Sequence, residues 1–119
     1  MTIVDSLLST AYEDTQLLTK LDREGDKFSI ARDVDFVLKT QEHGKAEIVA
    51  SFAADNRYGV PRIEEVDGGY RVIITVHMPV TQHVLCSVSG LMMCLARLFS
   101  LDYDGWGCIV QRQTDHDQA

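Results

Sequence analysis

Basic side chains are scarce in this chain of 119 residues. Lysine and arginine together number 11, against 18 aspartates and glutamates, and the formal net charge is −7. A protein that binds nucleic acid through its phosphates needs a basic face, so this composition argues against a direct nucleic-acid partner. The excess of acid instead favours a basic protein partner that is attracted by long-range electrostatics.

Long hydrophobic runs are missing as well. No stretch of 18 or more consecutive apolar residues occurs, so we expect no membrane-spanning helix and no membrane partner. The first residues carry Asp5, Glu13 and Asp14 without an early lysine or arginine, which is unlike a secretory signal. We therefore expect a cytoplasmic protein.

Cysteine is rare, and its spacing is unlike that of a metal site. Cys86, Cys94 and Cys108 are odd in number and form no CxxC pair. Cys86 and Cys94 lie eight residues apart on a predicted helix, which is too far along the axis for both to bind one zinc ion. We predict buried free thiols, no metal site and no cofactor.

Catalytic signatures are absent too. There is no GxSxG, HExxH, P-loop or GxGxxG motif, and we predict no catalytic residue. His77 and His83 flank the turn at Met78-Pro79 and could approach each other, but neither has a carboxylate or thiol at ligand spacing. An enzyme that uses these two histidines stays an alternative.

Hydrophobic periodicity predicts a single domain over residues 1–119. The domain divides into an N-terminal helix over about 2–24, an α+β sandwich over about 27–112, and a short tail over 113–119. The order of elements after the first helix is βαββαβ, which is typical of a ferredoxin-like sandwich with a four-stranded antiparallel sheet. The predicted elements are the helix Thr2–Glu24, the strand Phe28–Leu38, the helix Lys45–Asn56, the hairpin strands Ile63–Val66 and Tyr70–Met78, the helix Gln82–Phe99 and the strand Leu101–Arg112.

The first predicted strand alternates between apolar and polar residues. Asp33 and Asp35 share the polar side, whereas Arg32 interrupts the apolar side. One face of the sheet is therefore expected to be buried and the other wet. The apolar side consists of Phe28, Ile30, Val34, Phe36 and Leu38.

The helix Gln82–Phe99 is apolar over about half of its circumference. Such a helix is either deep in the core or covered by another element. The N-terminal helix and a second copy of the chain, as a homodimer, are the two alternatives for that cover.

The most distinctive stretch is Asp102-Tyr103-Asp104-Gly105-Trp106-Gly107-Cys108, which holds the only tryptophan. Glycines beside a large aromatic predict a kinked or bulged strand with Trp106 in the core. Asp102 and Asp104 are two residues apart, so both should project to the same face of the strand. Three roles are open for this pair: a salt bridge, for which Arg32 and Arg71 are the candidate partners, an acidic docking patch, or catalysis.

The segment Phe99–Gly107 resembles the close of the regulator of ribonuclease E activity B family, which consists of small acidic bacterial proteins that inhibit an RNA-degrading endonuclease by binding it. The resemblance implies a ferredoxin-like sandwich and a non-catalytic, protein-binding role, with ribonuclease E or its degradosome as the partner. The family carries a long acidic tail, whereas residues 113–119 are few and only mildly acidic.

The motif and the strand geometry together select candidate partner-binding residues. These are Asp102, Asp104 and Trp106, with Asp33 and Asp35 in support. A small-molecule-binding module of the same fold is the main alternative, because ferredoxin-like sandwiches can hold ligands between helix and sheet.

Overall fold

The computed structural model describes residues 2–112, and the predicted tail over 113–119 lies outside this part of the chain. Three helices and four strands follow one another along it. They are α1 (Ile3–Arg23), β1 (Arg32–Thr40), α2 (His43–Asp55), β2 (Val60–Val66), β3 (Gly69–Met78), α3 (Gln82–Phe99) and β4 (Asp102–Gly107).

The four strands form one antiparallel sheet in the order β2-β3-β1-β4. β1 is central and pairs with β3 along its whole length, from Arg32 opposite Met78 to Thr40 opposite Tyr70. Helices α2 and α3 pack against one face of this sheet, and α1 packs against α3. This arrangement confirms the predicted α+β sandwich with an extra N-terminal helix.

The core lies between the sheet and the helices. Phe36 and Leu38 of β1, Ile74 of β3, and Leu85 and Met92 of α3 are all fully buried there. Burying a large aliphatic or aromatic side chain stabilises a fold by about 1.5–3 kcal/mol, so this layer accounts for much of the stability. The opposite face of the sheet carries no helix from the described chain.

The helix α3 has the length and apolar composition of a membrane span, and a third of it is buried in this fold. A core helix in a globular domain has the same properties, and α3 supplies buried residues such as Leu85 and Leu95 to the central cluster. α1 covers one flank of α3. The N-terminal helix was one of the two predicted alternatives for this cover. Leu91 and Leu98 remain exposed on the outer side of α3, and a second copy of the chain there stays a prediction.

The first strand begins later than predicted, at Arg32 instead of Phe28. Phe28 and Ile30 lie in a turn, and β1 starts at Arg32 itself. The guanidinium of Arg32 is 3 % exposed and donates to both carboxylate oxygens of Asp26, at 2.6 and 2.9 Å. It also donates to the backbone carbonyl of Lys27 at 3.0 Å. The turn before β1 therefore closes around a buried ion pair.

The last strand also ends earlier than predicted, at Gly107 instead of Arg112. The residues after it run beside the turn that holds Arg32, and the carbonyl of Gln111 accepts from the backbone N–H of Lys27 at 2.7 Å. The prediction of buried thiols is wrong for Cys94, which is exposed, and Cys86 and Cys108 are half-buried. All three cysteines are free thiols.

Candidate functional site

The strand β4 carries a bulge that sorts its side chains between the two faces of the sheet. Leu38 of β1 lies opposite Tyr103, and Phe36 lies opposite Trp106. Two steps along β1 therefore match three steps along β4, which has one extra residue. Gly105 absorbs the extra residue with φ +84°, a conformation that favours glycine. The predicted kink is confirmed, and Tyr103 and Trp106 both face the helices.

Trp106 connects the edge of the sheet to the N-terminal helix. Its ring is 9 % exposed, and Nε1 donates to Oδ1 of Asp14 on α1 at 2.9 Å. Asp14 is itself only 4 % exposed, and burial raises the pKa of its carboxyl group although the bond from Trp106 acts in the opposite direction. The predicted core position of Trp106 is confirmed. Its contribution to partner binding stays a prediction.

Tyr103 makes the matching connection to α3. Its hydroxyl lies 2.7 Å from Oγ of Ser89, a fully buried residue. Burial also raises the pKa of the Tyr103 phenol, so the hydroxyl stays protonated at neutral pH. The two aromatic residues of the motif therefore tie β4 to the helical layer.

Asp14 was not among the residues selected from the sequence. It lies at helical spacing within the apolar stripe formed by Leu7, Ala11, Leu18 and Leu21. A carboxylate within an apolar stripe must find a buried partner, because burying an unpaired charge is very costly. That position in the stripe was the signal that could have identified it.

The side of the sheet away from the helices, here called the open face, contains most of the candidate acids. Asp33 and Asp35 of β1 and Asp104 of β4 line one cavity of about 570 Å³ on this face. These three residues are called the acidic half of the open face. The other residues that line the cavity are Val37, Arg62, Glu64, Arg71, Ile73, Trp106, Gly107, Cys108 and Ile109.

Asp102 lies apart from this cavity. It is opposite Lys39 in the register of β1 and β4 and lines a separate groove beside the β2–β3 hairpin. Asp102 and Asp104 are both exposed, but the open-face cavity receives only Asp104 of the two.

The predicted pairing of Asp102 and Asp104 with Arg32 or Arg71 is wrong. Arg32 is bound to Asp26 within the turn, and Nη2 of Arg71 donates to Oε1 of Glu64 at 2.9 Å. The cation near Asp104 is Lys39, with Nζ 3.7 Å from Oδ1. The pKa of the Glu64 carboxyl is lowered by its bond from Arg71, so the partner of Arg71 is Glu64 and not an aspartate of β4.

Charge on the open face is divided between its two sides. Arg62 and Arg71 lie on β2 and β3, opposite the acidic half on β1 and β4. Asp35 accepts from Oγ1 of Thr75 at 2.6 Å, whereas its approach to Arg62 is 3.7 Å, longer than a hydrogen bond. Such a loose, half-exposed ion pair contributes about 0–1 kcal/mol, so Asp35 can still bind another cation.

Acid–base chemistry finds little support in the described residues. Nδ1 of His77 lies 3.0 Å from Oδ1 of Asp33, but both side chains are about two-thirds exposed or more. Neither His77 nor His83 lines the open-face cavity. Within residues 2–112 no group of three histidine, cysteine, aspartate or glutamate side chains is placed to hold a metal ion.

One family model matches this chain over residues 11–108, and its description is regulator of ribonuclease activity B. The matched segment begins within α1 and includes Asp14, all four strands and the Tyr103–Gly107 motif. A search of curated proteins finds no match.

Proposed function

The chain belongs to the regulator of ribonuclease activity B family, and from this membership we propose that it binds a ribonuclease and modulates RNA degradation without catalysing a reaction itself. Ribonuclease E, alone or within its degradosome, is the proposed partner, and the cytoplasm is the proposed compartment. The family match confirms the resemblance carried by Phe99–Gly107.

The single observation that supports this mode of action is the open face with its acidic half. Helices α2 and α3 pack against the other face of the sheet, and α1 packs against α3. The described chain therefore leaves the open face accessible. Asp33, Asp35 and Asp104 line one cavity there. Asp33 lies at hydrogen-bond distance, 3.0 Å, from Nδ1 of the exposed His77, whereas Asp35 and Asp104 approach Arg62 and Lys39 only to 3.7 Å. An arginine of a partner can form paired, charge-assisted hydrogen bonds with a carboxylate, which are stronger than these loose contacts.

The proposed mechanism is stoichiometric. The net charge of −7 attracts a basic segment of the ribonuclease, and the acidic half then fixes the position of that segment on the sheet. Because the complex occupies a surface that the nuclease needs, RNA cleavage falls as the protein is added, and no covalent bond is made or broken by the regulator.

The test combines binding and inhibition with purified ribonuclease from the same host. The double variant Asp33→Asn/Asp104→Asn should raise Kd by about 3- to 10-fold, since each exposed charge pair contributes about 0.2–1 kcal/mol. Binding of the parent protein should weaken between low and high salt. An RNA cleavage assay should show the same loss of potency for the double variant.

The matched control is Asp22→Asn/Asp55→Asn, which removes the same charge from exposed positions on α1 and α2. This control should keep nearly the full affinity, with only the small loss that a lower net charge causes. Equal losses for the two double variants would show that overall charge acts and that the acidic half is no specific surface. No binding of the parent protein would refute the proposed function.

A further inference from the structure

Gly107 is a glycine that the described fold does not require. It is the last residue of the edge strand β4 and lies opposite Asp35. Its backbone is outside the left-handed region, and a Cβ built at this position meets no other atom of residues 2–112 within 4 Å. Gly105, two residues earlier, differs because its φ of +84° supports the bulge.

A glycine in a strand weakens the strand. It loses more conformational freedom on folding than alanine does, and it has no side chain to pack. A strand glycine often marks a bulge, a tight bend or a place where a ligand or another backbone approaches closely, and the bulge of β4 lies at Gly105. Gly107 therefore leaves its backbone open to close approach by a partner.

The surroundings of Gly107 define what that partner presents. Gly107 lines the open-face cavity together with Asp35 and Asp104. Val37 lines the same cavity, as does Ile109, which is 77 % exposed although it is a large apolar residue. The exposed backbone of Gly107 therefore lies between apolar side chains and carboxylates. These neighbours suit a long side chain that is apolar along its stem and positively charged at its end.

We propose that an arginine of the ribonuclease partner lies across Gly107, with its stem against Val37 and Ile109 and its guanidinium between Asp35 and Asp104. Arginine fits better than lysine because its planar guanidinium can donate paired hydrogen bonds to a carboxylate. This inference rests on the proposed function and assigns the contact point within the acidic half of the open face.

The experiment places side chains at Gly107 and measures binding with two probes, the purified ribonuclease and a fluorescent octa-arginine peptide. Gly107→Val should weaken binding of both by about tenfold, because a branched side chain fills the space over the strand, and Gly107→Ala should weaken it less. An octa-lysine peptide should bind the parent protein more weakly than octa-arginine does.

Gly44→Ala is the matched control. Gly44 lies on α2, where a Cβ also meets nothing within 4 Å and no positive φ is required. This variant should bind both probes as the parent does. Urea unfolding of each variant establishes that it is folded, and Gly107→Ala keeps the test decisive if the valine variant fails to fold.

The outcomes separate this inference from the proposed function. If the parent binds the ribonuclease and the Gly107 variants bind equally well, the contact point is wrong while the regulatory role stands. If the parent does not bind the ribonuclease, the proposed function fails, and the octa-arginine arm still decides whether Gly107 marks an arginine site. A parent dimer that Gly107→Val converts to a monomer would assign the exposed backbone of Gly107 to a second copy of the chain and overturn the inference.

Discussion

Replacing Trp106 with phenylalanine tests whether the motif tryptophan holds the N-terminal helix on the domain. The variant keeps an aromatic ring but removes the indole N–H that donates to Oδ1 of Asp14 at 2.9 Å. Oδ2 of the same carboxylate is buried and has no hydrogen-bond partner among the described residues. The substitution therefore removes a donor from a buried acid that has few others.

The expected loss of stability has two parts. A hydrogen bond to a charged group contributes about 1.5–3 kcal/mol, and the smaller ring leaves a cavity that adds about 1 kcal/mol. We expect Trp106→Phe to cost about 2–4 kcal/mol and Trp106→Ala about 3–5 kcal/mol. A domain of this size has a free energy of unfolding of about 5–15 kcal/mol, so both variants should still fold.

Urea unfolding followed by far-UV circular dichroism is the assay, because the substitution removes the only tryptophan and with it the fluorescence probe. The midpoint should fall by about 1–2 M if the slope is about 2 kcal/mol per molar urea. Asp14→Leu/Trp106→Phe should recover part of the loss, since replacing both partners with apolar groups leaves no polar group stranded. A Trp106→Phe variant as stable as the parent, or strict additivity in the double variant, would refute the reasoning.

Three further substitutions compare two buried charged groups with one half-exposed ion pair. Burial raises the pKa of Asp14 above its unfolded value, so the folded state binds this proton more tightly and stability falls as the pH rises through the window between the unfolded and folded pKa. Asp14→Asn removes that loss, and its melting temperature relative to the parent should increase with pH across this window. Arg32→Met strands the buried carboxylate of Asp26 and should cost about 3–5 kcal/mol in urea unfolding. Lys39→Ala breaks a half-exposed pair and should cost less than about 1 kcal/mol, so similar losses for the two would contradict the burial argument.

Alternation and the order of elements were sufficient to predict the fold, because each element buries one face with its own period. They failed where a polar residue belongs to the core. Arg32 appears as an interruption in an apolar strand, and its partner Asp26 lies six residues earlier in a segment without periodicity. The alternation of polar and apolar residues does not reveal such an ion pair, and the strand was predicted to begin four residues too early.

Those features of the candidate site that depend on the geometry of a single strand could be predicted from the sequence. The two glycines indicated the bulge, and the spacing of Asp102 and Asp104 indicated that their side chains share one face of the strand. Asp14 lies 92 residues from Trp106 in sequence, and the pairing of Asp104 with Lys39 depends on strand order, which the residues of either strand alone do not specify. Contacts of this kind need the tertiary arrangement.

The position of β4 has a consequence for the folding pathway. The β2–β3 hairpin joins neighbouring residues and can form within microseconds, whereas β4 must pair with a strand about 70 residues earlier in the chain. Closing such a loop is slow, and an edge strand with two glycines also opens more readily than the central pair. Asp104 and Gly107 lie on this late strand, so the proposed docking surface exists only in molecules that have completed it. A ribonuclease that binds there would in turn hold β4 closed, and amide hydrogen exchange in β4 should slow when the partner is bound.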